Sequence, residues 1–151
     1  MKPAGCLNNP LDPIQLPTSA PGAIDAEVEL AVVIGRDCKN VDATSALQYV
    51  LGYTIANDLT ARDTQSHTSQ WGYCKGYDGF CPLGPVLVLV DAVPDPSALS
   101  MTMTLDGEVL QDGNTSEMIF SVAEIVSHLS QVRLARPAMP QGRSMQLTGR
   151  R

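Results

Sequence analysis

The chain has 151 residues, of which 44% are hydrophobic and 17% charged, so its composition is that of a globular domain and not of a disordered segment. Its formal net charge of −6 argues against nucleic acid or an anionic membrane as a partner, because both require a basic surface. It contains no run of 18 apolar residues and no signal-peptide pattern, so we expect a cytoplasmic protein without a membrane segment.

The first elements are a loop and a strand. Residues 1–23 are rich in Pro, Asn and Ser, which predicts an extended loop with one short strand around "PIQLP". The next stretch, "EVELAVVIG" at 27–35, alternates as a strand does and places Glu27 and Glu29 on one face. Two carboxylates at this spacing repel, strongly once partly buried. We therefore expect something positive between them.

The middle of the chain predicts a helix, a strand and a long connection. Asp42 has the character of an N-cap for a helix over 44–51, which Gly52 would end. A second strand is predicted over 52–58. The polar, glycine-containing connection that follows is of a kind that often carries function in a compact domain.

Three further elements complete the predicted scaffold. "VLVLV" at 86–90 predicts a short buried strand, and "MTMTLDGEVLQDG" predicts a hairpin with an Asp-Gly turn. Ser121 and Glu124 have the spacing of a capping box at the start of a helix with Ile125, Val126 and Leu129 on its apolar face.

The cysteines and the last residues bound the organisation of the chain. Four cysteines, none in a CxxC or zinc-like pattern, are interpreted as free thiols: Cys6, Cys38, Cys74 and Cys81. No acidic residue follows Glu124, whereas five arginines lie in the last 19 positions. We therefore predict a domain over 1–132 and a divergent, poorly packed basic tail over 133–151.

A candidate metal site follows from the strand ends. Glu27 and Glu29 open one predicted strand, and Asp58 ends the next. Three carboxylates could form an oxygen site suited to Mg²⁺, Mn²⁺ or Ca²⁺. The spacing alone leaves two interpretations open, a metal site and a chance arrangement, since a Glu-x-Glu pair also occurs by chance.

Three motifs resemble one known family. The stretches "EVELAVVIG", "NDLTARDTQ" and "KGYDGFCPLGP" occur in the order and at about the spacing of the fumarylacetoacetate hydrolase family, and the resemblance runs from "KPAG" to about Val132. It implies an α+β fold, a strand-dominated mixed β-sheet roll with a few flanking helices. It also implies a homodimer with a divalent cation at the mouth of the roll.

The same resemblance implies roles by position. Glu27, Glu29 and Asp58 match the metal carboxylates, with Mg²⁺ expected and Mn²⁺ or Ca²⁺ as alternatives. Lys75 matches a catalytic lysine near the metal that helps to hold substrate oxygens. Arg62 and Gln65 match residues that line or support the substrate pocket. Two further aspartates, Asp63 and Asp78, are expected to be structural.

The implied substrate is a small 2-oxo acid or 1,3-dicarbonyl compound, and the implied reaction is C–C bond hydrolysis through a metal-stabilised enolate. Decarboxylation and keto-enol tautomerisation are the alternative reactions, because they use the same enolate. Family members that cleave C–C bonds also have a His and Glu dyad before the "KP" motif and a TGTP motif near the end, and this sequence has neither. The third alternative is therefore a non-catalytic metal-binding remnant or dimer subunit.

Overall fold

The computed structural model of the chain describes residues 2–20, 22–132, 135 and 137. The strands of this part are β1 (Leu7–Asn8), β2 (Ile24–Asp25), β3 (Val28–Ile34), β4 (Val50–Asn57), β5 (Thr60–Ala61), β6 (Cys81–Pro82), β7 (Val88–Leu89), β8 (Ser100–Leu105) and β9 (Glu108–Asn114). Its α-helices are α1 (Ala43–Ala46), α2 (Arg62–Gln65), α3 (Gly72–Lys75) and α4 (Val122–Val132). This element content confirms the predicted strand-rich α+β class.

The chain divides into two compact units, and the first consists of Met1–Glu29 and Ile55–Pro85. Within it, β1 pairs in parallel with β6, and β2 pairs antiparallel with β5, which sets Asp25 opposite Thr60. Its buried side chains include Phe80 and three cysteines, Cys6, Cys74 and Cys81. The short helices α2 and α3 contact each other and β5.

The second unit consists of Leu30–Thr54 and Val86–Arg151. The strands β3, β4 and β7 form a sheet in that order, β8 and β9 form a hairpin, and α4 packs against α1. Ser127 and Ser130 of α4 are tied to the backbone of Val41, because Ser127 Oγ donates to its carbonyl at 2.7 Å and its amide donates to Ser130 Oγ at 2.9 Å. A buried apolar cluster lies beside them, including Val32, Ile34, Val50, Val122 and Val126.

The predicted helix over 44–51 is wrong in its second half. Helix α1 ends at Ala46, a 3-10 turn follows over Leu47–Tyr49, and β4 begins at Val50. Gly52 does not end a helix but lies within β4, where an added Cβ would come 2.2 Å from the carbonyl oxygen of Val88. Asp42 occupies the N-cap position without a side-chain cap hydrogen bond.

Two predicted strands also differ from the structure. No strand forms over "PIQLP". The stretch at 86–90 contributes only Val88–Leu89 to a strand, and its first four side chains are exposed and not buried, with Val86 at 63% and Leu89 at 52%. The exposure follows from the place of β7 in the sheet, because β7 pairs with β4 and lies at the end of the order β3, β4, β7. An apolar run alone therefore did not specify burial.

The predictions for the hairpin and the cysteines are confirmed. The hairpin β8–β9 turns at Asp106 and Gly107, both with positive φ (52° and 88°), as the Asp-Gly pair predicts. All four cysteines are free and buried. Among the described helices, none is long and apolar enough to cross a bilayer, and the longest, α4, has 11 residues.

The predicted basic tail over 133–151 lies outside the described residues except for Ala135 and Pro137. Ala135 is buried. Its amide donates to the carbonyl of Cys38 at 3.0 Å, and its carbonyl accepts from the amide of Cys38 at 2.8 Å. The domain boundary at residue 132 and the poor packing of the tail stay predictions.

The capping box of α4 generates a stability prediction. Ser121 Oγ lies 3.3 Å from the amide of Glu124, and the Glu124 carboxylate accepts from the Ser121 amide at 2.8 Å. Removing the hydroxyl in Ser121→Ala should lower the free energy of unfolding by about 1 kcal/mol in urea titrations. His128→Ala, an exposed position of the same helix, should change it by less than about 0.5 kcal/mol. Equal effects of the two substitutions would contradict this role of the cap.

Candidate metal centre

The backbone fixes two carboxylates side by side. Asp58 follows the last residue of β4, and its amide donates to the carbonyl oxygen of Glu27 at 2.8 Å. The amide of Glu27 in turn donates to the side-chain oxygen of Asn57 at 3.2 Å. Glu29 lies two residues further along, so it shares a face with Glu27 as the strand period requires. The chain therefore converges on one place from the start of β3 and the end of β4.

The three side chains meet in a buried cluster. Ligand oxygens of Glu27, Glu29 and Asp58 all lie within 4.8 Å of one another, and the residues are 8%, 5% and 5% exposed. Oxygens at such separations can surround one Mg²⁺ or Ca²⁺, whose ligand distances are about 2.0 to 2.6 Å. Three carboxylates in a poorly solvated place repel each other, so the cluster requires positive charge.

Lys75 supplies part of that charge. It ends α3, is 5% exposed, and its ammonium donates to Asp58 Oδ2 at 2.6 Å, to Glu27 Oε2 at 3.2 Å and to Thr60 Oγ1 at 2.7 Å. The lysine thus bridges two of the three carboxylates. It lies between Glu27 and Asp58, whereas we expected a positive group between Glu27 and Glu29.

Arg62 contacts the same cluster from α2. Its guanidinium donates from Nε to Asp25 Oδ2 at 2.8 Å and from Nη2 to Glu27 Oε1 at 2.7 Å. A third contact, 2.9 Å long, runs from its Nη1 to Gln65 Oε1. Arg62 and Gln65 are therefore brought next to the carboxylates. A role of either residue in substrate binding stays a prediction.

The two aspartates with predicted structural roles are different cases. Asp63 Oδ2 accepts from the Ala23 amide at 3.1 Å, which ties the loop before β2 to α2. Asp78 is exposed, and its role stays a prediction.

Lys2 is a member of the cluster that the sequence analysis missed. Its side chain is 6% exposed, and its ammonium pairs with Asp58 Oδ1 at 2.9 Å. It also donates to the carbonyl oxygens of Leu59, Lys75 and Phe80. The "KP" pair at the start of the resemblance was its only signal in the sequence.

Glu29 differs from the other carboxylates. Neither of its side-chain oxygens has a hydrogen-bond partner, although both are buried. Burial, followed by the nearby negative charge of Asp58, raises the pKa of Glu29 from 4.5 to about 8, against the opposing effect of Lys75. An ionised carboxylate without partners is costly in such a place. A divalent cation fits this donor set because it would satisfy the oxygens that the protein leaves unpaired.

The buried Glu29 carboxyl generates a prediction for metal-free protein. Between pH 4.5 and about 8 the folded chain keeps a proton on Glu29 that the unfolded chain loses, so stability falls as pH rises through this range. In EDTA, the free energy of unfolding of Glu29→Gln should therefore rise relative to that of the natural chain as pH rises. The total change should be a few kcal/mol, since one pKa unit corresponds to about 1.4 kcal/mol. Urea titrations from pH 5 to 9 measure the difference. A difference that does not change with pH would contradict the buried, unpaired state.

Comparisons with known proteins match this architecture. A sequence model of the family described as fumarylacetoacetate (FAA) hydrolase C-terminal matches residues 1–138. The human mitochondrial oxaloacetate tautomerase FAHD2A is 43% identical over 130 residues, which are 85% of this chain and 41% of that protein. The chain spans about two fifths to a half of the length of the first curated relatives it matches.

Solved structures agree in fold. The 5-carboxymethyl-2-hydroxymuconate delta-isomerase from Mycobacterium smegmatis superposes with a TM-score of 0.84 at 42% identity, over 90% of this chain and 53% of that one. The 2-hydroxyhepta-2,4-diene-1,7-dioate isomerase from Mycobacterium marinum gives 0.84 at 43% identity, over 90% and 52%. The family match over most of the chain and these superpositions lead to one conclusion: the chain belongs to the fumarylacetoacetate hydrolase family.

Proposed function

We propose that this chain carries the metal centre of an enzyme that enolises a small 2-oxo acid or 1,3-dicarbonyl compound. In this proposal Glu27, Glu29 and Asp58 hold Mg²⁺, or Mn²⁺ in its place. The observation that carries it is the buried meeting of these three carboxylates with the Lys75 ammonium. The family contains enzymes, which supports an enzymatic role, and we infer the specific reaction from the residues of the site.

The charges of the cluster support a cation there. Arg62 and Lys75 contact Glu27, and Lys2 and Lys75 contact Asp58. Glu29 has no such partner, and its two oxygens are buried. A hard divalent cation is the kind of ion that oxygen-only donor sets prefer. Glu29 is therefore the carboxylate with the most to gain from metal binding.

The chemistry of enolisation fits these residues. A bound divalent cation would supply positive charge beside the substrate oxygen that becomes negative when a proton leaves the neighbouring carbon. Lys75 adds a fixed ammonium at the same place, and such preorganised charge lowers the barrier because it needs no reorganisation during the reaction. The contacts from Lys75 to Asp58 and Thr60 hold that ammonium in position.

The names of similar proteins favour proton transfer as the reaction. A tautomerase at 43% identity and two isomerases at 42% and 43% are named for reactions that rearrange their substrate. Hydrolysis of a C–C bond is the second candidate, favoured by the name of the matching family. Both reactions need a base, for water in hydrolysis and for the carbon-bound proton in enolisation. We rank enolisation first because the named relatives rearrange their substrates.

Decarboxylation shares the enolate and stays an alternative, as does a chain that binds metal without turnover. The homodimer and the cytoplasmic location also stay predictions. The proposed partner is a small anionic substrate, since the net charge of −6 does not favour nucleic acid.

Metal binding is tested by thermal unfolding. If the three carboxylates form the site, Mn²⁺ at a hundredfold excess over its Kd should stabilise the chain by about 2.7 kcal/mol and raise Tm. Glu29→Ala should abolish the rise, because one of three ligands is lost. Glu108→Ala, an exposed glutamate of β9, is the matched control and should retain it. A full metal response in Glu29→Ala would contradict the proposed ligand set.

Turnover is tested with oxaloacetate, the substrate named for the human relative. We expect Mn²⁺-dependent exchange of its C3 protons with D₂O, followed by NMR. In Lys75→Met the exchange rate should fall about 10²-fold or more, as for loss of a group that acts in the transition state. Lys39→Met removes an exposed lysine of the second unit and should leave the rate unchanged. Cleavage of an acylpyruvate faster than this exchange would favour the hydrolase instead.

A further inference from the structure

The Lys2 side chain joins the segments that build the metal centre. Its Nζ lies 2.9 Å from the carbonyl oxygen of Leu59 and 2.6 Å from those of Lys75 and Phe80. These acceptors are 57, 73 and 78 residues away along the chain. The ammonium also lies 5.7 Å from the centre of the Phe80 ring. One buried side chain thus contacts the residue after Asp58, the last residue of α3 and the residue before β6.

The contacts account for the burial of this lysine. An ammonium has three N–H donors, and here three backbone carbonyls lie within hydrogen-bonding distance of it. Its charge is offset by Asp58 Oδ1 at 2.9 Å. A buried charge is tolerated when it is paired and hydrogen-bonded in this way. The residues around Lys2 therefore form a specific binding site for its ammonium, and the contact is not an incidental one at the surface.

Asp58 is held at both of its carboxylate oxygens as a result. Lys2 contacts Oδ1, and Lys75 contacts Oδ2 at 2.6 Å. Because Lys2 also bonds to the carbonyl of Lys75, it fixes the backbone from which the second contact is made. The orientation of the Asp58 carboxylate consequently depends on Lys2 directly and through Lys75.

We propose that Lys2 is the positioning residue of the metal centre, which sets cation affinity by holding Asp58 and the Lys75 backbone in place. The inference rests on the proposed metal site and adds a residue that is not itself a ligand. Partners that orient metal ligands typically change metal affinity by about 10- to 100-fold when they are removed.

A purely electrostatic role for Lys2 predicts the opposite effect. A positive charge beside the ligands repels a cation, so its removal would tighten metal binding. Positioning predicts weaker binding, because Asp58 loses its ion pair, three carbonyl oxygens lose their donor, and the loops that carry them can move. The direction of the change in affinity therefore distinguishes the two roles when it is measured on folded protein, since unfolding would also weaken binding.

The experiment measures Mn²⁺ affinity by the EPR signal of the free ion, with the full chain and its variants, each checked for folding by near-UV circular dichroism. Lys2→Met keeps the length of the side chain and removes the ammonium, and we expect its Kd to rise about tenfold or more. Lys39→Met, at an exposed lysine that also donates to a backbone carbonyl, should bind as the natural chain does. Lys2→Arg keeps the charge but not the tetrahedral donors, and we expect weaker binding there too.

Each outcome decides the inference. Unchanged or tighter Mn²⁺ binding in folded Lys2→Met overturns it and leaves the proposed function standing. If Lys2→Met does not fold, Lys2→Arg decides, since binding equal to that of the natural chain would overturn the positioning role. If the natural chain itself binds no Mn²⁺, both the inference and the proposed function fail.

Discussion

Repulsion among three buried carboxylates is the constraint on which the site depends. Glu27, Glu29 and Asp58 come within 4.8 Å of one another at places that are less than a tenth exposed. Apolar residues at these positions, as in most cores, would not have this electrostatic cost. The chain instead surrounds the carboxylates with three cationic side chains, Lys2, Lys75 and Arg62. Such a cluster does not add stability by itself, which is one reason for our proposal that it binds a cation.

The local fold follows from that arrangement. The Asp58 amide bonds to the Glu27 carbonyl, so the end of β4 is fixed against the start of β3. The pairing of β2 with β5 sets Asp25 and Thr60 opposite each other, and α2 begins directly afterwards with Arg62. Short elements with tight connections thus deliver acidic and basic side chains to one place. Positive groups form ion pairs with Glu27 and Asp58, whereas both carboxylate oxygens of Glu29 are buried without a hydrogen-bond partner.

Local sequence patterns predicted the parts of this structure that depend on local physics. Alternation located β3, which carries Glu29 and begins directly after Glu27. The Asp-Gly pair located a turn, and Ser121 with Glu124 located a helix start. The predicted helix over 44–51 was wrong in its second half, because β4 begins at Val50 and Gly52 lies close to Val88, a contact between distant segments.

Contacts between distant residues explain the other misses. The run at 86–90 was expected to be buried, but apolar character does not specify which strand lies at the end of a sheet. Lys2 was missed for the same reason. Its partners lie 57 to 78 residues away, and no periodic pattern connects a lysine in an N-terminal loop to three backbone carbonyls. Family motifs identified the carboxylates and Lys75, whereas the residue that ties them together had to be seen in the structure.

The central claim is that the three carboxylates bind one divalent cation, and a crystal of the chain soaked in Mn²⁺ tests it most directly. The account predicts an anomalous difference peak at about 2.0 to 2.6 Å from oxygens of Glu27, Glu29 and Asp58 together. A peak at other residues, or a soaked crystal in which Glu29 stays without any ligand while the ion is bound elsewhere, would contradict it.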